Sequence, residues 1–358
     1  MRLHSLQGLR ALCITLVVLS HVSGTRNFPR SHILEIYGNL GVRIFLVVSG
    51  FLITAQLVRE FDRSGTISLK MFYARRAFRI FPAAYVFMIV AVVTHWNLLR
   101  AGNILTALAY SVNYYQHGYH VLGHLWSLGV EEQFYLLWPL SLLLFFRRRL
   151  WIVASAIALG PPLRIVFFLA WGRPGLDHPF PVFMDALAMG AAISMLEPKL
   201  ARWQEAFTSR SFVFVPLTTA CLPLIQLWNT RVYQVLGLTL LHLGIALSLK
   251  HFMMRRYALL NVWPVMWMGA ISYSLYLWQQ IFLDRDSASF QAAFPQNLAF
   301  SILLATASYH LIEQPFLRVR ERWTRARRPH LVSQVSRGLE TRNGEPVPGR
   351  TIETPAAL

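Results

Sequence analysis

Residues 6–24 read LQGLRALCITLVVLSHVSG, an apolar stretch carrying an arginine, Arg10, and a histidine, His21. In a helix, eleven residues make about three turns, so both side chains fall on one face, roughly 16 Å apart along the axis. Ionisable groups are expensive inside a bilayer and by default mark a site or a pathway. The bland alternative is that Arg10 snorkels to the interface and His21 makes an interhelical hydrogen bond. The stretch lacks a small-residue cleavage site and further apolar runs follow it, so it is expected to be a retained helix.

The rest of the chain supports a membrane reading. Of 358 residues, 55% are hydrophobic and only 14% charged, and eleven are tryptophan. Apolar runs of spanning length in this number are those of a polytopic membrane protein. The 34 Lys and Arg exceed the 16 Asp and Glu, but most lie in short clusters between apolar runs. That is the pattern of loops facing anionic membrane lipids, and no nucleic acid partner is expected. Cys13 and Cys221 both lie in apolar segments and suit packing better than a disulfide or metal framework.

Ten candidate spans fall at about residues 8–24, 38–58, 81–97, 127–146, 150–171, 182–196, 212–229, 232–250, 265–283 and 297–316. With the N-terminus inside, seventeen basic residues before the tail lie on the cytosolic side, Arg2 and Arg256 among them, against six outside, Arg173 among them. This asymmetry fixes the expected orientation. The expected fold is therefore an all-α, polytopic transmembrane helical bundle of about ten helices, in the inner (plasma) membrane with both termini cytosolic. Residues 103–116 would reverse the later spans if they crossed, so a short or re-entrant element on the outer side is expected there. Pro161 and Pro162 predict a kink or break in the fifth span. Residues 1–318 form the expected membrane-embedded domain. Residues 319–358, rich in Arg, Pro and Gly, are expected to be a disordered cytosolic tail. No internal repeat is evident, so the inverted-repeat pattern of many secondary transporters is missing.

Polar residues within this apolar frame carry the chemistry. FYARRAFRIFP (72–82) sets Arg76 and Arg79 three apart on one helical face, with Arg75 beside them. Such spacing suits an anion clamp for phosphate groups, and equally a topology determinant touching lipid headgroups. LGHLWSLGVEEQFYLLWP (122–139) brings His124, Glu131, Glu132 and Gln133 to the fourth span. Adjacent carboxylates point to different sides of a helix, so at most one serves a given site; pairing with a buried arginine such as Arg43 is the structural alternative. His117, His120 and His124 have ligand-like spacing, but the acidic or cysteine company of a metal site is thin, and no metal is expected. Asp185 in FMDALAMG and Glu313 in LIEQPF are further carboxylates at membrane depth or at its face, each open to a structural or a substrate-contacting role.

These pieces, in order, resemble the acyltransferase-3 family of integral membrane O-acyltransferases, from Leu6 to about Arg318. The resemblance rests on LQGLRALCITLVVLSH with Arg10 and His21; GVRIFLVVSGFLIT at Gly41 to Thr54; FYARRAFRIFP with Arg76 and Arg79; HLWSLGVEEQFYLLWP at His124 to Pro139; ISYSLYLW at Ile271 to Trp278; and HLIEQPF at His310 to Phe316. It implies roughly ten helices and transfer of an acyl group, usually acetyl, from cytosolic acyl-CoA to a hydroxyl of a surface polysaccharide, lipid-linked glycan, glycolipid or related acceptor. Two positions depart from the family pattern. Arg43 stands where members often carry Asp or Ser, and Gln279-Gln280 follow LYLW where many carry histidine. No esterase-like domain follows the last span, so a two-domain relay is not expected.

Resemblance and residues together suggest that Arg10, Arg76 and Arg79 bind the phosphates of acyl-CoA, a co-substrate rather than a permanently bound cofactor. A neutral His21 imidazole would take the proton of the acceptor hydroxyl, with Glu131 fixing its tautomer. Transfer through an acyl-histidine is the competing route. His124, Trp126, Tyr135 and Asp185 are the candidates for acceptor binding, Trp126 and Tyr135 as a sugar-stacking platform in the outer half, although an aromatic belt also explains them. A proton-coupled transporter or a flippase of a glycan or lipid precursor is the alternative function.

Overall fold

The computed structural model describes residues 3–115, 120–172, 179–255 and 257–324. Arg2, His117, Arg173, Arg256 and residues 325–358 lie outside the described residues. Every regular element among the described residues is helical, in line with the all-α expectation.

Each helix boundary has a local cause. Ser31 starts the His32–Ser64 helix, its hydroxyl accepting from Leu34 N, which satisfies one of the otherwise orphaned first-turn donors. Gly65 ends the same helix at φ 69°, its N–H donating 2.7 Å to Phe61 O; glycine adopts this left-handed geometry without a side-chain clash. Three residues on, Ser68 caps the Leu69–Thr94 helix through Met71 N. Glu60 joins the two helices across this turn, accepting from Ser68 N at 2.9 Å and from Arg75 at 2.9 Å. The FYARRAFRIFP segment is thus held at a fixed rotation, with Arg75 committed to the turn.

The Leu3–Val22 helix packs between His32–Ser64 and Trp263–Phe282, and Trp263–Phe282 packs in turn on Gln296–Ser308. On the other side, His32–Ser64 packs on Phe180–Met195, which rests against Arg149–Trp171. The crossing of His32–Ser64 with Phe180–Met195 depends on small residues. A Cβ at Gly50 would collide with Leu187 O, and one at Gly190 with Val47 O. Such close backbone approach is how membrane helices gain packing where the hydrophobic effect no longer drives them together.

Five helical stretches are long and apolar enough to cross a membrane: His32–Ser64, Leu69–Thr94, His120–Trp171, Ser211–Trp228 and Thr230–Met254. A sixth forms if Phe180–Met195 and Glu197–Thr208, bent by 64°, count as one. The ten spans expected from the sequence all fall on helical segments, but the count of ten is not reached by this measure. One reason is that Leu6–Val22 is a shorter apolar helix. Another is that His120–Trp171 runs 52 residues as one helical stretch and absorbs two expected spans. Residues 101–108 form a helix of only eight residues, short as expected. The Arg149–Trp171 helix runs through Pro161 and Pro162 without a break. The last helix continues to residue 324, beyond the expected boundary at 319.

Asp185, a candidate for acceptor binding, sits within a buried polar network. It lies fully buried among Arg164, His242 and Thr239: Arg164 pairs with Oδ2, His242 Nδ1 lies 3.1 Å from it and Thr239 Oγ1 donates at 3.0 Å. Arg43 NH1 meets His242 Nε2 at 3.2 Å, so the Arg43 departure belongs to this network and not to Glu131. Replacing one member of a buried ion pair strands the other and costs about 3–5 kcal/mol, whereas replacing both with apolar residues is far cheaper. Arg164→Leu is therefore expected to lower the thermal midpoint and yield of the detergent-solubilised protein sharply, and Arg164→Leu with Asp185→Leu to recover much of it.

Candidate active site

The helices bring Arg10, Arg76, Arg79, Glu131 and Glu313 together at one end of the bundle, here termed the basal end, where the first helix begins. Glu131 accepts from Ser49 Oγ at 2.7 Å and from Tyr135 Oη at 2.9 Å, and lies within electrostatic reach of Arg10, Arg76 and Arg79. Glu313 is buried, accepts from Ser274 Oγ at 3.1 Å and faces Arg10 and Arg79. A π-helical turn at Tyr309–Glu313 supplies it, and such turns recur at functional sites because they rotate one residue out of the regular helical register. Arg76 stacks on Tyr135, its guanidinium carbon 4.7 Å from the ring centroid. Arg75, Arg76 and Arg79 open into a cleft of about 440 Å³ whose other walls are Gln56, Arg320, Glu321 and Thr324. Arg75 is spent on Glu60, but neither Arg76 nor Arg79 makes an ion pair among the described residues. Converging, half-buried guanidinium groups without ion pairs are suited to an anion, because each arginine offers a planar fork of donors matched to phosphate oxygens.

His21 lies on the same helix at a different level. It faces the fully buried Gln279 amide and lies near His124. The polar atoms here have few partners: His21 meets the Gln279 amide and His124 the backbone of Leu277, yet among the described residues no hydrogen bond of good geometry satisfies His21 Nδ1, the His124 ring nitrogens or the Gln279 amide. Buried polar atoms are nearly always satisfied, so a concentration of unsatisfied ones marks a place built for a ligand or water. Aromatic side chains frame it. The His124 ring centroid is 5.4 Å from that of Phe87 and 5.1 Å from that of Tyr276, and Phe87 is 5.6 Å from Trp278. Tyr276 Oη also meets Ser127 Oγ at 2.8 Å and donates to His124 O.

The expected site residues thus separate into levels. Arg10, Arg76 and Arg79 converge as their spacing suggests, and His124 joins His21. Glu131 does not join His21: it sits at the level of Arg10, and the axial distance between Arg10 and His21, roughly 16 Å, keeps them apart. Tyr135, expected in the outer half, lies in the arginine cluster. Trp126 packs on Phe183, 5.1 Å between centroids, which in turn lies under Arg43 at 4.9 Å. Three participants went unmarked in the sequence. Ser49 sat within a quoted motif with no role given to it. Gln279 was visible only as a lost histidine. Arg320 fell in the expected tail. Among the described residues no three His, Cys, Asp or Glu side chains gather as a metal site, and His120 instead faces Asp284 at 3.5 Å.

The model of a family described as an acyltransferase domain, acyltransferase 3, matches residues 3–307. The chain belongs to that family. Acyltransferase-3 relatives include the peptidoglycan O-acetyltransferase OatA of Listeria monocytogenes, 26% identical over 360 residues, covering 87% of this chain and 55% of the relative. The O-acetyltransferase OatA of Staphylococcus aureus is 26% identical over 355 residues, covering 87% of this chain and 57% of the relative. The chain spans a little over half the length of these curated relatives. No solved structure matches it. The family match takes in Arg10, His21, Arg76, Arg79, Glu131 and Gln279, and stops before Glu313 and Arg320.

Proposed function

We propose that this acyltransferase-3 protein takes an acetyl group from acetyl-CoA at its basal, cytosolic end and transfers it to a hydroxyl of a cell-wall glycan on the far side. The observation that carries the reading is the pairing, on one helix, of Arg10 near a cleft whose Arg76 and Arg79 make no ion pair among the described residues with His21 among buried, poorly partnered polar atoms. At about 440 Å³ the cleft falls within the ~300–1,000 Å³ common for small-molecule sites. Arg76 and Arg79 would hold the donor phosphates, while Glu131 and Glu313 keep the arginines oriented and limit their mutual repulsion. An extended pantetheine arm bridges the roughly 16 Å from Arg10 to His21.

At His21 the neutral imidazole accepts the proton of the acceptor hydroxyl as its oxygen attacks the thioester carbonyl carbon. The carbon–sulfur bond breaks, and the departing thiolate takes up that proton from the imidazolium. Gln279, not Glu131, is the group available to orient the ring. A neutral amide suits this position, because a carboxylate so deep in the membrane would itself need a partner. The names of the relatives support peptidoglycan as the acceptor class. Mass spectrometry of cell-wall glycans from cells with and without the gene tests the reading: deletion should remove an acetyl increment from a sugar. Unchanged glycan acetylation would remove the proposed acceptor.

A further inference from the structure

The stretch after Glu313 continues as helix to residue 324. Within it Gln314, Leu317, Arg320 and Trp323 recur at three-residue spacing and, with Thr324, are the partly covered positions, whereas Phe316, Arg318 and Val319 are exposed. This face docks on the Leu69–Thr94 helix, the Trp323 ring lying 6.0 Å from that of Phe78. Docking carries Arg320 into the cleft wall with Arg75, Arg76 and Arg79. Burial first, then the nearby Arg79, lowers the pKa of the Arg320 guanidinium, which means another cation has been drawn towards those already present. Among the described residues its one carboxylate neighbour, Glu321, is 4.0 Å away and 58% exposed, too loose and too solvated to neutralise it.

The cations are arranged by depth. Arg10 and Arg76 are more deeply enclosed than Arg320, and Arg79 faces both Arg10 and Arg320. Arg75 is already occupied by Glu60. Acyl-CoA carries its anions in a matching order: the diphosphate lies nearer the thioester and the ribose 3′-phosphate farther away. Resting on the donor reading above, we propose that Arg320 binds the ribose 3′-phosphate of the acyl donor, so that the helix beyond the family match completes the donor site. The deeper Arg76 and Arg79 then serve the diphosphate.

The test compares acetyl-CoA with acetyl-3′-dephospho-CoA, using the full chain in nanodiscs of zwitterionic lipid. A lost charge-assisted contact of about 1.5 kcal/mol corresponds to roughly tenfold in affinity. Arg320→Gln, which removes the charge and keeps the first part of the side-chain stem, should raise KM for acetyl-CoA about tenfold and leave KM for the dephospho donor unchanged. Arg320→Lys should recover part of the loss. Equal increases with both donors, or none with either, would overturn the assignment. A loss seen only when anionic lipid is added would also overturn it, and would make Arg320 a headgroup contact. If the wild-type protein uses neither donor, the donor reading falls and this inference with it, a result distinct from failure of Arg320 alone.

Discussion

His21→Ala is expected to lower acetyl transfer by about 10²–10⁴-fold, the range lost with a positioned general base, while donor KM stays near the wild-type value. The two effects separate because His21 and the arginine cleft occupy different levels of one helix. Truncation at His21 removes the proton acceptor but leaves Arg10, Arg76 and Arg79 in place. The half-buried imidazole makes no hydrogen bond of good geometry through Nδ1 among the described residues, so its loss should not unfold the bundle. Initial rates and donor titrations on purified variant, at matched protein amounts and thermal midpoints, check this. A transfer rate within a few-fold of wild type would remove His21 from the chemistry.

Arg79→Ala should do the converse, raising donor KM by about 10–100-fold with a smaller change in kcat, as expected for losing a charge-assisted contact of about 1.5–3 kcal/mol. Arg79 is the larger lever because it faces Arg10 and Glu313 on one side and Arg320 on the other. Arg76 keeps part of its setting through the Tyr135 ring. Arg79→Ala also relieves repulsion with Arg10, so its thermal midpoint should hold steady. A fall in kcat with unchanged donor KM would give Arg79 to the acceptor or to the fold instead.

Much of this was legible in the sequence wherever a local rule governed it. The helices follow from apolar runs, and the shared face of Arg10 and His21 follows from the helical period. The Arg76 and Arg79 cluster follows from three-residue spacing. What needed tertiary structure was depth. Nothing local says that Glu131 lies at the level of Arg10, and the analogy with hydrolytic triads drew it to His21. Asp185, Arg164 and His242 come from three separate helices, and only the structure brings them together in one buried network. Tyr135 was set in the outer half by its aromatic character, whereas its hydroxyl is committed to Glu131 in the arginine cluster. Gln279 illustrates a departure from a family pattern that places a residue at the site instead of emptying it. Arg320 was hidden by composition. An arginine-rich stretch suggests a tail, yet Arg320 and Trp323 continue the three-residue spacing of Leu317, a helical signal that runs into it.

The most direct test of the central claim follows radioactive acetyl from acetyl-CoA to glycan fragments, using purified protein reconstituted in vesicles with donor and acceptor on opposite sides. The account predicts labelled glycan with the wild-type protein when donor is supplied at the arginine-cleft side, and background labelling with His21→Ala. Labelled glycan from His21→Ala at the wild-type rate, or acetylation that proceeds without acyl-CoA, would contradict it.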